Sequence, residues 1–537
     1  MNTTHRILTA VLALLAAGAM MASPRGGAQT TTYDVLIRNA RIVDGTGGAW
    51  YRGEIALRGE TIAAIGRLGE VEARRVIDAG DRVVAPGFID VHSHARRTIF
   101  EVPTAENCIR QGVTTVIEGP DGSSPLPLKP FLEKLAAARL GINFGLFVGQ
   151  GTIREQVIGN VDRRATAEEI AKMKELVREA MLDGAFGLST GLFYVPGNYT
   201  PTEEVIELAR VAGSLGGIHI SHMREESADV LKSVAETIAI GEKGGLPTQI
   251  THHKVVGVGN WGRSVETLKM IAEARARGVD VSIDQYPYTA SSTGIGALLP
   301  QWAQEGKRED VLRRLHDPAT RARIKTEAIY NIRNNRGGGD PKNVVIARCA
   351  WDASLEGKNL AEISKLRGRS ASIEDGAETA MELVEKGGAS AIFHAINEED
   401  VMRIMRDPLT MIASDGGVEV MGRGAPHPRS YGTFARVLGV YVREKQVLKL
   451  EEAVRKMSSL PAARLGLHDR GLLRPGMKAD LVVFDPTAVR DRATFANPHQ
   501  YAEGVTHVFV NGTLVLDDGK MTDARSGRIL RGAAARK

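Results

Sequence analysis

Cysteine is nearly absent: the 537 residues contain only Cys108 and Cys349. A dense disulfide framework is therefore excluded, and a chain of this length buries enough core not to need one. Both thiols are expected to be buried and free. An excess of one charge is lacking too. The 69 Lys and Arg stand against 64 Asp and Glu, a formal net charge of +5, and the basic residues are scattered. Such a distribution predicts no nucleic-acid surface. Internal repeats and long apolar surface helices are missing as well, which argues against a structural or envelope-interaction role. What remains, 43% hydrophobic and 25% charged residues, is the composition of an ordinary globular chain. Its length suits a barrel plus a second module.

One apolar run is present. Ile7–Ala22 follows His5 and Arg6 and precedes Ser23-Pro24 and small residues around Ala28. It is shorter than the roughly 20 residues of a membrane span, and its flanks predict a cleaved signal peptide within residues 1–28. With no cysteine nearby, no lipid anchor is expected. The mature protein is expected to be periplasmic or secreted, without stable membrane insertion.

Short β-like pieces follow at Tyr33–Ile37, Arg41–Val43, Glu54–Leu57, Ile62–Ile65 and Arg82–Ala85, punctuated by Gly and Asp. The same texture returns at Leu481–Phe484, Val505–Val510 and Thr513–Leu516, with Asn511-Gly512 as a hairpin signal. Between them, apolar strand-like runs alternate with helical patterns. The strand candidates are Gly87–Val91, Thr114–Glu118, Asn143–Val148, Phe186–Ser189, Gly217–Ser221, Thr248–Thr251, Val279–Asp284 and Thr410–Ser414. This alternation predicts an α/β fold, a (β/α)8 TIM barrel. A small β-sandwich domain formed from both terminal regions and an inserted lid subdomain complete it. The expected boundaries are 31–86 and 461–530 for the β-domain and 87–460 for the barrel, with an insertion at about 289–345.

The chemistry concentrates at strand ends. Pro86-Gly-Phe-Ile-Asp-Val-His-Ser-His94 ends a buried strand in His-x-His, and a period of two puts His92 and His94 on one face. Alone, the pair could be two polar residues at a strand end. The pattern recurs, however: His222 closes GGIHIS, His252 closes TQIT and Asp415 closes LTMIAS. Barrel active sites lie at the C-terminal ends of strands, and imidazoles with a carboxylate are ligands suited to a hydrolytic zinc ion. Asp415 lies in Asp-Gly-Gly, which is also turn chemistry; its place after the eighth strand favours catalysis. His219, His253 and His394 are expected to be structural.

The HxH–His–His–Asp series resembles the amidohydrolase superfamily. The longer segments GFIDVHSH, QGVTTVIEG, GLSTGLFYVPG, SHMREE, THHKVVG, DQYPY, ASDGG and HPRSYGTFARVLG resemble its N-acyl-D-amino-acid deacylase branch, over about Tyr33 to Gly512. The resemblance implies one metal position at His92 and His94 and another at His222 and His252, with one or two zinc ions. It further implies Asp415 as catalytic acid/base, and Lys254, Tyr194, Tyr286 and Ser292 as ligands of a substrate carboxylate. Arg224 and Arg429 are further candidates. One segment departs from the family pattern. Where the family has Gly-Asn-Cys-Gly with a metal-bridging cysteine, this chain has Gly119-Pro-Asp-Gly122, so Asp121 takes the cysteine's place. Glu118, at the strand end itself, is the alternative. The fourth-strand segment FGLSTGL offers no lysine for a carboxylated-lysine bridge. The expected activity is hydrolysis of N-acyl-D-amino acids. A dipeptidase, a cyclic-amide hydrolase and a non-catalytic binding protein are the rival readings.

Overall fold

The computed structural model describes residues 32–536, so the expected signal peptide lies outside the described residues. Among these, no helix is long and apolar enough to cross a membrane. Eight strands run in parallel: β1 (Phe88–Ser93), β2 (Val113–Glu118), β3 (Asn143–Leu146), β4 (Gly187–Gly191), β5 (Ile218–His222), β6 (Thr248–Ile250), β7 (Val281–Gln285) and β8 (Thr410–Ile412). Two arcs of neighbours form, β1–β2–β3 and β4 through β8. After Phe147 the chain continues as Val148–Gly149, which pairs with β4 and links the arcs. The ring shuts between β8 and β1, where the Asp415 amide donates to the His92 carbonyl (2.9 Å) and the His94 amide donates to the Gly416 carbonyl (2.7 Å).

Every residue of β1, β2, β4, β5 and β7 is buried. Burial on both faces is why apolar residues recur on both sides of these strands, with the polar ones gathered toward the C-terminal ends. The helix Ala167–Asp183 shows the local logic. Thr166 caps it and Glu169 completes a capping box, Met173, Val177, Ala180 and Met181 face inward, and Gly184 at φ +125° ends it.

Both terminal regions enter one nine-stranded sheet. They meet where Leu481–Phe484 runs antiparallel to Val83–Pro86, and Ile37, Ile55, Leu57, Leu481, Val483 and Phe509 share a core there. Ala73–Asp78 joins the sheet beside Tyr33–Ile42 as a strand not expected from the sequence.

Between β7 and β8, the strands Ser291–Gly294, Val344–Arg348 and Ser390–Phe393 form a three-stranded antiparallel sheet. It packs with the helices Pro318–Asn334 and Ile373–Glu385 around Ile324, Ile332, Ile346, Met381 and Phe393. The elements sharing this core continue to Phe393, past the expected limit near 345, because Ser390–Phe393 is the middle strand pairing with both others. Cys108 and Cys349 are free and buried.

Candidate metal centre

The barrel's C-terminal rim collects the candidate residues. His92 and His94 leave β1 on one face, and His222 is the last residue of β5. Three others sit in loops just past their strands and at positive φ: Asp121 (+56°), His252 (+35°) and Asp415 (+50°). L-residues rarely adopt this region, and each such residue costs on the order of 1–3 kcal/mol that its surroundings must offset. Those surroundings are visible. The His252 amide donates to Asp284 Oδ1 at 2.7 Å. The Gly122 amide, next to Asp121, donates to Ser189 Oγ at 2.8 Å. The Asp415 amide forms the barrel-closing bond to His92.

Two groups of ligand atoms result, His92–His94–Asp121–Asp415 and Asp121–His222–His252, with Asp121 common to both. Asp121 Oδ1 lies 3.6 Å from His92 Nε2, 3.4 Å from His222 Nδ1 and 3.4 Å from His252 Nε2, while Oδ2 lies 3.4 Å from His94 Nε2. Asp415 Oδ1 lies 3.4 Å from His92 Nε2 and 3.0 Å from His94 Nε2. Ligands at about 2.0–2.1 Å from a tetrahedral zinc ion are about 3.3 Å from one another; the separations from the carboxylates are near this, while His252 Nε2 and His222 Nδ1 stand closer, at 2.7 Å. His92 Nε2 and Asp121 Oδ1 are buried without a hydrogen-bond partner, a costly arrangement unless a cation satisfies them. Glu118 is outside both groups; its Oε2 accepts the Arg96 amide at 2.8 Å.

The electrostatics agree. Burial pushes the Asp121 carboxyl up, but His92, His222 and His252 outweigh it and hold it well below the usual carboxylate range. Burial likewise opposes ionisation of Asp415, and the Arg429 guanidinium, with NH1 2.8 Å from Oδ2, overcomes it together with His92. Burial lowers the His222 imidazole to about 4 against the pull of Glu226, keeping it neutral as a metal ligand must be. Burial opposes the charge of His92, yet Asp121 and Asp415 raise it well above its ordinary range. Its surroundings therefore favour a positive charge, which a metal ion would supply.

The remaining candidates divide. Tyr194 and Ser292 line a cleft of about 400 Å³ together with His94, Asp121, Asp415 and Arg429, a size suited to a small molecule. The Tyr194 hydroxyl is 3.0 Å from Thr293 Oγ1. Tyr286 is buried behind this wall, its hydroxyl without a partner and its ring 4.8 Å below the Arg429 guanidinium. Lys254 is not among the cleft-lining residues. It is 4% exposed, and its Nζ donates to Glu226 Oε1 at 2.6 Å and approaches His252 Nδ1 at 2.8 Å. The ammonium expected to meet a substrate carboxylate is thus held behind His252, because the buried Glu226 is its nearest counter-charge. Arg224 is occupied by Glu236 and by the carbonyls of Asn198 and Thr200. Of the other histidines, His219 bonds to Thr190 and Thr248, His253 bonds to Thr267, and His394 packs on Phe495. Sequence reasoning missed Glu226 and His427. The latter accepts the Arg429 amide at 3.0 Å.

Gly191, at the end of β4, lets the Asp121 loop approach: a Cβ there would stand 2.1 Å from the Asp121 carbonyl oxygen. Gly191→Ala is expected to displace Asp121 and lower metal retention while the chain stays folded. Metal analysis beside a thermal melt checks this, and undiminished metal would show that the loop relaxes without disturbing the site.

A parallel barrel carrying four histidines and two aspartates at its strand ends has the architecture of a metal-dependent hydrolase. The chain belongs to the amidohydrolase family, whose model, described as "Amidohydrolase family", matches residues 75–516. A D-aminoacylase from Alcaligenes xylosoxydans xylosoxydans is 37% identical over 526 residues, covering 94% of this chain and 98% of its own. An N-acyl-D-glutamate deacylase from the same organism is 37% identical over 520 residues, covering 93% and 96%. A solved N-acyl-D-glutamate deacylase from Bordetella bronchiseptica, complexed with zinc and a phosphonate mimic of the reaction's tetrahedral intermediate, is 35% identical. It aligns with a TM-score of 0.80, covering 93% of this chain and 100% of that one.

Proposed function

We propose that this protein is a zinc-dependent N-acyl-D-amino-acid deacylase, releasing a carboxylate and a D-amino acid. The observation that carries the reading is the Asp121 carboxylate, shared by two histidine pairs and lining a cleft together with the Asp415–Arg429 pair. The near-full-length similarity to deacylases of this specificity supports it. His92, His94, His222 and His252, with Asp121, hold one or two zinc ions. Bound zinc supplies Lewis acidity, which acidifies water and polarises an amide carbonyl. Asp415, kept ionised by Arg429, accepts a proton from the attacking water. The water oxygen bonds to the acyl carbon, the C–N bond breaks, and Asp415 returns the proton to the leaving nitrogen. Tyr194 and Ser292 offer hydroxyls to the substrate carboxylate in the cleft, with the Arg429 guanidinium beside them. The conformation shown leaves Lys254 and Tyr286 supporting this wall from behind.

The finer architecture belongs to the same proposal. The nine-stranded sheet forms the small β-domain from the two terminal regions. The Ser291–Phe393 elements form a lid, since Thr293, Gly294, Ala347, Arg348 and Ser390 line the cleft. The Ile7–Ala22 run supports export, to the periplasm or out of the cell.

Metal analysis coupled to an enantiomeric panel of N-acyl amino acids, with dipeptides and cyclic amides alongside, tests the activity. Zinc-dependent turnover confined to N-acyl-D-amino acids is the expected result. Turnover of dipeptides or cyclic amides alone would replace the substrate class, and absence of any turnover by zinc-loaded protein would leave a binding protein.

A further inference from the structure

Glu226 lies four residues beyond His222, in the loop leaving β5, and is 1% exposed. Four groups from three parts of the chain surround its carboxylate. Oε1 accepts from Lys254 Nζ at 2.6 Å and lies 3.2 Å from His252 Nδ1. Oε2 accepts from Arg336 NH2 at 3.0 Å and lies 3.9 Å from His222 Nε2. The histidines face Asp121 through the other nitrogens of their rings, His252 by Nε2 and His222 by Nδ1. Both distal nitrogens therefore face the same carboxylate, His252 Nδ1 within reach of it and His222 Nε2 at 3.9 Å, buried without a hydrogen-bond partner.

This matters because a neutral imidazole carries one proton. If the nitrogen facing Asp121 is to hold a metal, the proton must be on the distal nitrogen, and a buried N–H needs an acceptor. Lys254 complicates the choice for His252: its ammonium approaches Nδ1 at 2.8 Å. Were Lys254 to donate there, Nε2 would bear the proton and could not ligate. Glu226 resolves the competition, since it accepts from Lys254 directly and leaves His252 Nδ1–H a carboxylate within reach.

The fourth group comes from far away. Arg336 follows the helix Pro318–Asn334 of the segment between β7 and β8, 110 residues from Glu226, and is 5% exposed. Its guanidinium lies 4.2 Å over the Phe193 ring, which itself stands 5.9 Å from the His222 ring. The turn delivering it depends on glycine: a Cβ on Gly337 would meet the Ile332 Cα at 2.3 Å.

We propose that Glu226 is the positioning residue that fixes the proton placement of His252 and faces the distal nitrogen of His222, and that Arg336 holds Glu226 in register. Seating of the β7–β8 segment then sets the metal affinity of the His222–His252 half. The inference rests on the reading that this half binds zinc. Its test is zinc retained per chain, measured on purified holoprotein against a graded chelator, with a thermal melt for each variant. Glu226→Gln keeps the shape but removes the acceptor charge, and should lose the affected zinc at a chelator concentration about 10–100-fold lower than wild type. Arg336→Met should move the curve in the same direction, with Arg336→Lys restoring part of the loss. Wild-type curves for both Glu226→Gln and Arg336→Met would overturn the inference, as would a fall in melting temperature with unchanged zinc retention. Wild-type protein that binds no zinc would instead overturn the metal reading itself.

Discussion

Asp415→Asn should keep the fold and lose turnover by about 100- to 10,000-fold, the range expected for removing a general acid–base group. The amide matches the carboxylate in shape and can keep an oxygen beside the Arg429 guanidinium, whose NH1 lies 2.8 Å from Oδ2. What it cannot do is take a proton from water and return it to the departing nitrogen. Because Asp415 Oδ1 also stands 3.0 Å from His94 Nε2 and 3.4 Å from His92 Nε2, kcat should be read on protein whose zinc content has been measured. Near-normal kcat with zinc in place would remove Asp415 from the chemistry and leave it as the turn residue that its Asp-Gly-Gly setting also suits.

A larger loss is expected from Asp121→Ala. Asp121 is common to both ligand groups, so its removal separates the four histidines into pairs with no shared carboxylate. Zinc should leave both halves and activity should fall to background, whereas Glu118→Ala should keep its metal. The reason is geometric: Glu118 turns toward Arg96, accepting its amide at 2.8 Å, and lies outside either group. Full zinc in Asp121→Ala with loss in Glu118→Ala would reverse the assignment. A carboxylate here is a harder ligand than the cysteine of the family pattern, so the zinc preference of this chain is a property to measure directly.

The barrel was legible because parallel strands covered on both faces read as apolar runs, and each of the eight expected strands has its counterpart in the ring. The convergence of His92, His94, His222, His252 and Asp415 could be anticipated from their places at strand ends. Asp121 was harder. It lies three residues past the end of β2, in a loop at φ +56°, and strand periodicity says nothing about where such a side chain points. Ala73–Asp78 is not legible as a strand because ARRVID is largely exposed and carries little apolar alternation. Glu226 was hidden for a different reason. Its role depends on contacts from β5, from the loop after β6 and from Arg336, and no local pattern encodes a meeting of segments so far apart.

The two hydrogen bonds that shut the ring link His92 and His94 with Asp415 and Gly416, residues more than 300 positions apart in sequence. Joining such distant segments is a late and entropically demanding event in folding. Assembly of the full site therefore coincides with completion of the barrel. A partly folded chain carries isolated histidine pairs, and only a finished one brings the carboxylates and imidazoles together. Metal capture by all the ligands at once would then report that the ring has closed.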